Sequence, residues 1–335
     1  MSLFVLLAIF TFLFYYLACF NGLKLEYKII FICLFLIFAT TLRLIIAPEL
    51  NKDYYGYFDL HNFENPEDTT SFLVSEPYLY LIYKFFEFYV PEKKTIFVLI
   101  YWFNFFITNF FFIWLTTRFD LSVWKKMMIF VFYYFLFGFV LLRNGPVYIL
   151  FAYFFYYSFR NQKFNKILFT PFMHLSALSL IITIFHKNKY YLKFFFAILF
   201  LLLPVFLIYV MPLLNDLLAF QNSMNKVDSY SQSSGVVSIF HILYFGFISL
   251  FLLITLVVYK KKAFHPILIT VSLFYYISFF VNPVLGFRFS PYVIMAVLLF
   301  SFKDVKISQR NKYLDLVSFL MLPYFIFTLI DTHYL

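Results

Sequence analysis

Uncharged apolar runs close to 20 residues long recur along the whole chain, and they constrain the fold more than any motif does. The first, SLFVLLAIFTFLFYYLACF at residues 2–20, holds no charge in 19 positions. An α-helix rises about 1.5 Å per residue, so a run of this length matches the roughly 30 Å hydrocarbon core of a bilayer. In lipid a backbone must satisfy its own hydrogen bonds, and a helix does this within one segment. Such windows place spans near 2–20, 28–47, 96–117, 127–142, 144–159, 190–212, 236–258, 266–285, 289–302 and 313–330. The expected fold is an all-α integral membrane protein, a polytopic helical bundle of about 10 transmembrane helices. Two further apolar stretches, 78–90 and 167–185, are expected to be re-entrant or interfacial. No internal repeat or flexible linker divides the chain, so one integral domain over 1–335 is expected, with outer loops at 48–77 and 213–235.

Composition excludes the soluble alternative. A chain that is 64% hydrophobic and 13% charged cannot hide its apolar surface in a water-soluble core, which is about half apolar and a quarter charged. The net charge of +10 does not point to nucleic acid, because the basic residues lie in short clusters between apolar runs, as membrane orientation requires. Residues 2–20 lack a basic leading region and a small-residue cleavage site, so they read as a retained first helix. Cys19 and Cys33 both lie inside apolar runs, so no disulfide scaffold or thiolate metal site follows.

Lysine and arginine in short loops orient the bundle. Lys24 and Lys28 place the first loop in the cytoplasm, so residues 48–77 face outward. If 78–90 crossed the membrane, Arg118, Lys125, Lys126, Arg160, Lys163 and Lys166 would face outward, with only Lys93 and Lys94 inward. A segment that does not cross reverses that count. A re-entrant 167–185 likewise keeps Lys187, Lys189 and Lys193 inside. Both termini then face outward, and Arg143 and Arg288 emerge at the outer face, where the orientation rule disfavours arginine.

The outer loop 48–77 carries seven of the 16 acidic residues, among them Asp53 and Glu76, beside Tyr54, Tyr55, Tyr57 and Phe58. Carboxylates accept hydrogen bonds from sugar hydroxyls, and aromatic faces pack on sugar C–H groups. The plainer reading is a solvated loop with interfacial tyrosines. The second outer loop holds Tyr230 in QNSMNKVDSYSQSSG and reads either as a substrate-binding lid or as a linker. His174, in FTPFMHLSALSL, follows Pro171 and precedes Ser176 and Ser179, which suits a chain turning back at membrane depth. It is a general-base candidate, set against an ordinary interior histidine. Arg143 in FGFVLLRNGPVYIL and Arg288 in NPVLGFRFSPYV each have Gly and Pro within three residues. Their anionic partner is either a lipid phosphate or the pyrophosphate of a polyprenyl carrier, which a planar donor fork grips bidentately.

These segments resemble the Wzy and EpsG-type polymerases of bacterial O-antigen, capsule and exopolysaccharide. DYYGYF follows the second apolar run, SEPYLYLIYKFF is similar to that family's EPG-type segment, LLRNGPVYIL to its FRQ-type arginine segment, and PFMHLSALSLI to its FHxSAL motif. The resemblance covers residues 53–182. Tyr78 stands where glycine is usual after Glu76-Pro77, Asn144 stands where glutamine is common, and the C-terminal third matches only in hydropathy and in Arg288.

The resemblance implies transfer of a growing glycan from undecaprenyl pyrophosphate onto a lipid-linked repeat unit, at the outer face of the bacterial cytoplasmic (inner) membrane. It implies catalytic roles for His174, Asp53 and Glu76, and substrate binding by Arg143, Arg288, Tyr57 and Tyr230. It implies no metal and no cofactor. The implied partners are an undecaprenyl-pyrophosphate-linked oligosaccharide, membrane lipid and a chain-length regulator protein. Two other classes compete: another membrane glycosyltransferase or O-acyltransferase of surface glycans, and a flippase or transporter of lipid-linked oligosaccharide. A transporter is expected to show repeats and broken midplane helices, which seven glycines and no repeat do not suggest.

Overall fold

The computed structural model describes residues 3–51, 54–55, 58, 77–162, 165–170, 175–188, 190–193, 195–196, 239–259, 265–281, 283–299 and 308–333. Among these residues every regular element is helical: α1 (Leu3–Ala18), α2 (Leu25–Ile45), α3 (Pro77–Glu87), α4 (Lys93–Thr116), α5 (Val123–Phe135), α6 (Asn144–Phe159), α7 (Ile239–Tyr259), α8 (Pro266–Val281), α9 (Pro283–Leu299), α10 (Ser308–Val317) and α11 (Leu322–His333). Short 3₁₀ turns occupy Pro48–Leu50, Asn165–Phe169, Leu175–Lys187 and Ser318–Met321. Among the described residues four helices are long and apolar enough to cross a membrane: Leu25–Ile45, Lys93–Thr116, Val123–Val140 and Lys312–Asp331. Shorter apolar helices accompany them at Leu3–Ala18, His241–Val257, Pro266–Phe280 and Leu285–Leu299. The protein is a helical membrane protein.

The chain divides into two compact units. One comprises Met1–Phe63, Tyr78–Ile149 and Leu298–Leu335, the other Glu64–Pro77 and Leu150–Val297. The first unit is cemented by aromatic rings from distant segments. Tyr15 of α1 stacks on Phe130 of α5 at 4.0 Å, and Phe130 also stacks on Phe325 of α11 at 5.0 Å. Phe35 and Phe112 close the same cluster, edge-on to Phe130. Each such pair adds about 0.5–1.5 kcal/mol beyond simple burial, which matters in lipid, where apolar area alone does not draw helices together.

The two ends of this unit carry different polar chemistry. At one end Lys28 near the start of α2 and Lys126 near the start of α5 both donate to the carbonyl of Thr116, at 2.8 and 3.2 Å. Lys126 also donates to the Cys19 carbonyl and to Asn21 Oδ1. Lysines thus satisfy carbonyls that the C-terminal turn of α4 leaves without helical partners. The start of α5 is capped by another element, because the Trp124 N–H donates to Asp315 of α10 at 2.9 Å. At the other end Glu49 and Lys94 form an ion pair at 3.0 Å. Glu49 and Lys94 therefore stand at one end of the unit. Between them in the sequence α3 is 11 residues long, about 16 Å. It lies along the first half of α4, with Tyr83 edge-on to Phe97 and the Tyr78 hydroxyl donating to Asn104 Oδ1 at 2.7 Å.

In the second unit α7, α8 and α9 pack through Phe245, stacked on Phe279 at 4.2 Å, and through Gly286. A Cβ at Gly286 would stand 2.8 Å from the Cα of Phe279, so only glycine lets these backbones approach so closely. One expected boundary is corrected. Arg288 does not border a helix end, since α9 begins at Pro283 and Arg288 sits in its second turn. Proline starts a helix readily because its fixed φ suits the first turn, where its missing N–H has no partner to lose.

Candidate functional site

Arg143 occupies the expected break. The helix α5 widens into a π turn at Leu136–Val140, closed by the Leu141 N–H donating to Leu136 O at 2.8 Å. The chain then bends at Leu142 and Arg143 before α6 begins at Asn144. Pro146 falls in the first turn of α6, where its missing N–H costs nothing. Gly145 lets that turn lie against the π turn, since a Cβ there would sit 3.3 Å from the Phe137 carbonyl oxygen.

A break inside an apolar segment frees carbonyls, which lipid cannot satisfy. Two asparagines from elsewhere in the first unit do so. Asn51, just after the 3₁₀ turn, donates to Phe139 O at 2.9 Å, and Asn104 of α4 donates to Leu142 O at 2.9 Å. Asn104 is in turn oriented by Tyr78 of α3. Three elements thus fix the half-buried Arg143 by its preceding backbone.

Beside this clamp lies Arg43, in the last turn of α2. Only 2% of it is exposed, and among the described residues none of its three guanidinium nitrogens has a hydrogen-bond partner. Its guanidinium carbon stands 5.2 Å from the Phe139 ring centroid, 5.3 Å from Tyr101 and 6.0 Å from Trp102. Residues shortly after the 3₁₀ turn pack onto the same wall. Tyr54, 2% exposed, stacks on Tyr101 at 6.1 Å and on Phe58 at 5.5 Å, and Lys93 lies 4.7 Å over the Phe58 ring. Tyr54 and Phe58 are therefore part of the wall, whereas Tyr55 is 57% exposed. Partial burial works against ionisation of Glu49, but its backbone and Lys94 hydrogen bonds, with the Lys94 and Arg43 charges, hold its carboxyl below the usual range.

Arg288 lies in the second unit and is half-buried. Pro291, three residues on, cannot donate to the Phe287 carbonyl. Ser290 Oγ takes over, donating to Phe287 O at 2.7 Å, and the Tyr244 hydroxyl lies 3.1 Å from Ser290 Oγ. The helix thereby keeps its course past the proline, with Arg288 on the turn before it.

Of the residues singled out in the sequence, Arg143 and Arg288 are placed; Asp53, Tyr57, Glu76, His174 and Tyr230 lie outside the described residues. The sequence reading passed over Arg43, Asn51 and Asn104. Their signal was present in part: Arg43 is a lone charge in LFLIFATTLRLII, and Asn104 a lone amide in YWFNFFI. Chemically the arrangement offers fixed donors and a guanidinium at a helix break, suited to an anion. Among the described residues no group of three His, Cys, Asp or Glu is placed to hold a metal ion. A cleft of about 760 Å³, lined by Asn21, Lys312, Tyr313 and Asp315 among others, lies in the same unit beside the α10 cap of α5 and contains none of these residues. Comparison with family models, with curated proteins and with solved structures yields no match.

Proposed function

We propose that the protein is a polysaccharide polymerase of the Wzy and EpsG type, a membrane glycosyltransferase working at the outer face of a bacterial cytoplasmic membrane. The observation that carries this reading is Arg143, half-buried at a clamped break between two apolar helices. The ten-span arrangement with re-entrant segments at 78–90 and 167–185 belongs to the proposal; the Glu49–Lys94 pair supports its first half.

In the proposed reaction an acceptor hydroxyl of a lipid-linked repeat unit attacks the anomeric carbon of the growing glycan. The bond from that carbon to undecaprenyl pyrophosphate breaks, and the electron pair leaves with the pyrophosphate. Arg143 binds the departing anion, and preorganised charge of this kind is usually the largest catalytic contribution. His174, or else Asp53 or Glu76, accepts the hydroxyl proton. Tyr57 and Tyr230 bind sugar, and a chain-length regulator is the expected protein partner.

The test is Arg143→Lys. If Arg143 grips pyrophosphate through two parallel hydrogen bonds, lysine keeps the charge and loses the fork, which costs on the order of 2 kcal/mol or about thirtyfold in rate. At matched membrane level the variant then makes little long polymer, and Arg143→Ala makes less. Full polymer from Arg143→Lys reduces the residue to a lipid anchor. The competing reading is a flippase for lipid-linked oligosaccharide, for which broken midplane helices are expected, whereas α9 runs unbroken past Pro291. Deleting a polymerase leaves single repeat units on the surface, whereas deleting a flippase traps them inside.

A further inference from the structure

Arg43 has no task in the reaction above, and its surroundings single it out. Its guanidinium carbon lies over Tyr101, Trp102 and Phe139, so the cation rests against ring faces. Ring faces attract the charge but accept no hydrogen bond in the guanidinium plane, so five N–H groups remain unanswered at 2% exposure. Tyr101 stands eight residues, about 12 Å, inside the start of α4, so this charge lies within the span and not at its mouth. The carboxylate nearest in effect, Glu49, spends its hydrogen bond on Lys94 instead. A buried guanidinium with every donor open is costly to keep unless something external answers it.

We infer that Arg43 is the anchor of an anion-binding site that takes a phosphate-class oxyanion. One carboxylate edge answers two of its donors; the several oxygens of a phosphate or pyrophosphate group can answer both edges of the fork. The cage holds the plane of the guanidinium in advance, so little rotamer freedom remains to be lost on binding. The 3₁₀ turn Pro48–Leu50, just after α2, is tied to α4 by the Glu49–Lys94 pair, whose lysine side chain is 60% exposed, and an exposed pair of this kind holds weakly. Neither the anion nor its binding depends on the polymerase reading, and the site serves any membrane enzyme or carrier that handles a phosphorylated lipid or a free phosphate.

Binding is measured on the purified full-length protein carrying Trp114→Phe and Trp124→Phe, which leaves Trp102 as the fluorescent reporter at the cage. Inorganic pyrophosphate is titrated in detergent, and phosphatidylglycerol is compared with phosphatidylcholine in nanodiscs. The expected result is a saturable change in Trp102 emission, lost in Arg43→Gln and about tenfold or more weaker in Arg43→Lys. A response to pyrophosphate assigns the site to a soluble or terminal phosphate, and a response to phosphatidylglycerol alone assigns it to a lipid headgroup. Arg43→Met separates binding from folding: an unanswered charge kept for a ligand gives a variant with a higher melting temperature and no response. A lower melting temperature for Arg43→Met, an unaltered response in Arg43→Gln, or no saturable response to either probe overturns the inference.

Discussion

Asn104, in the middle of α4, donates its side-chain amide to the carbonyl of Leu142, the residue before Arg143, at 2.9 Å. The same asparagine accepts from the Tyr78 hydroxyl at 2.7 Å. One amide therefore ties α3, α4 and the α5–α6 break together. Burial raises the Tyr78 phenol far above its ordinary value, so it remains a donor at any physiological pH.

Asn104→Leu keeps the branched shape and removes both functions, stranding the Leu142 carbonyl and the Tyr78 hydroxyl. At about 1–3 kcal/mol for each stranded group, the variant loses roughly 2–6 kcal/mol of stability and with it the placement of Arg143. Tyr78→Phe strands nothing on the Leu142 side and loses about 1 kcal/mol, with polymer retained. Thermal unfolding in detergent and glycan ladder length measure the two effects. Equal behaviour of the two variants refutes the clamp.

Gly286→Ala drives a methyl into the Phe279 backbone, 2.8 Å away, and the α8–α9 crossing has to open. Overpacking of this kind costs typically 1–3 kcal/mol. Gly246→Ala is the control, because nothing lies within 4 Å of its Cβ position and alanine favours a helix interior. Melting temperatures are expected to fall for the first and to stay level or rise for the second.

His265, just before α8, sits against the Phe155 and Phe159 rings and 5.9 Å from the His186 ring. Burial first, and the neighbouring His186 second, push its imidazole down to about 4. The unfolded chain then binds a proton near pH 6.5 that the folded chain refuses until near pH 4. Stability therefore falls as pH drops through that window, by on the order of 2 kcal/mol, and is level below it. His265→Phe should flatten the slope of melting temperature between pH 7 and pH 4; an unchanged slope removes His265 as its source.

Cysteines at Glu92 and Ser122 report the two ends of the first unit. A membrane-impermeant maleimide added to intact cells is expected to modify Glu92→Cys, beside the Glu49–Lys94 pair, and to spare Ser122→Cys, beside the lysines that cap α4. The opposite pattern inverts the orientation. Modification of both places the two ends on one side and contradicts the bundle.

Hydropathy alone located the helix boundaries that matter most. The spans expected at 127–142 and 144–159 match α5 with its π turn and α6, and the break falls at Arg143. That outcome is local physics: a long apolar run must be helical in lipid, and Asn-Gly-Pro permits a restart. The second arginine was harder to place, because Pro283 opens α9 earlier than the hydropathy minimum suggests and takes Arg288 into the helix.

The sequence by itself determined the helical membrane class of the protein and the Arg143 break, since each follows from residue polarity within one segment and from a solvent that cannot hydrogen-bond; the span expected at 190–212 lies largely outside the described residues. Only the tertiary structure decided what holds that break. Asn51, Asn104 and Tyr78 lie 92, 39 and 65 residues before Arg143 in the chain, and nothing local marks them as neighbours. Arg43 is the same lesson in sharper form. Read along the chain it is one charge near a helix end, free to snorkel to water. Packed among Tyr101, Trp102 and Phe139 it has no water to reach, and that enclosure by three rings from two other segments gives its charge a consequence.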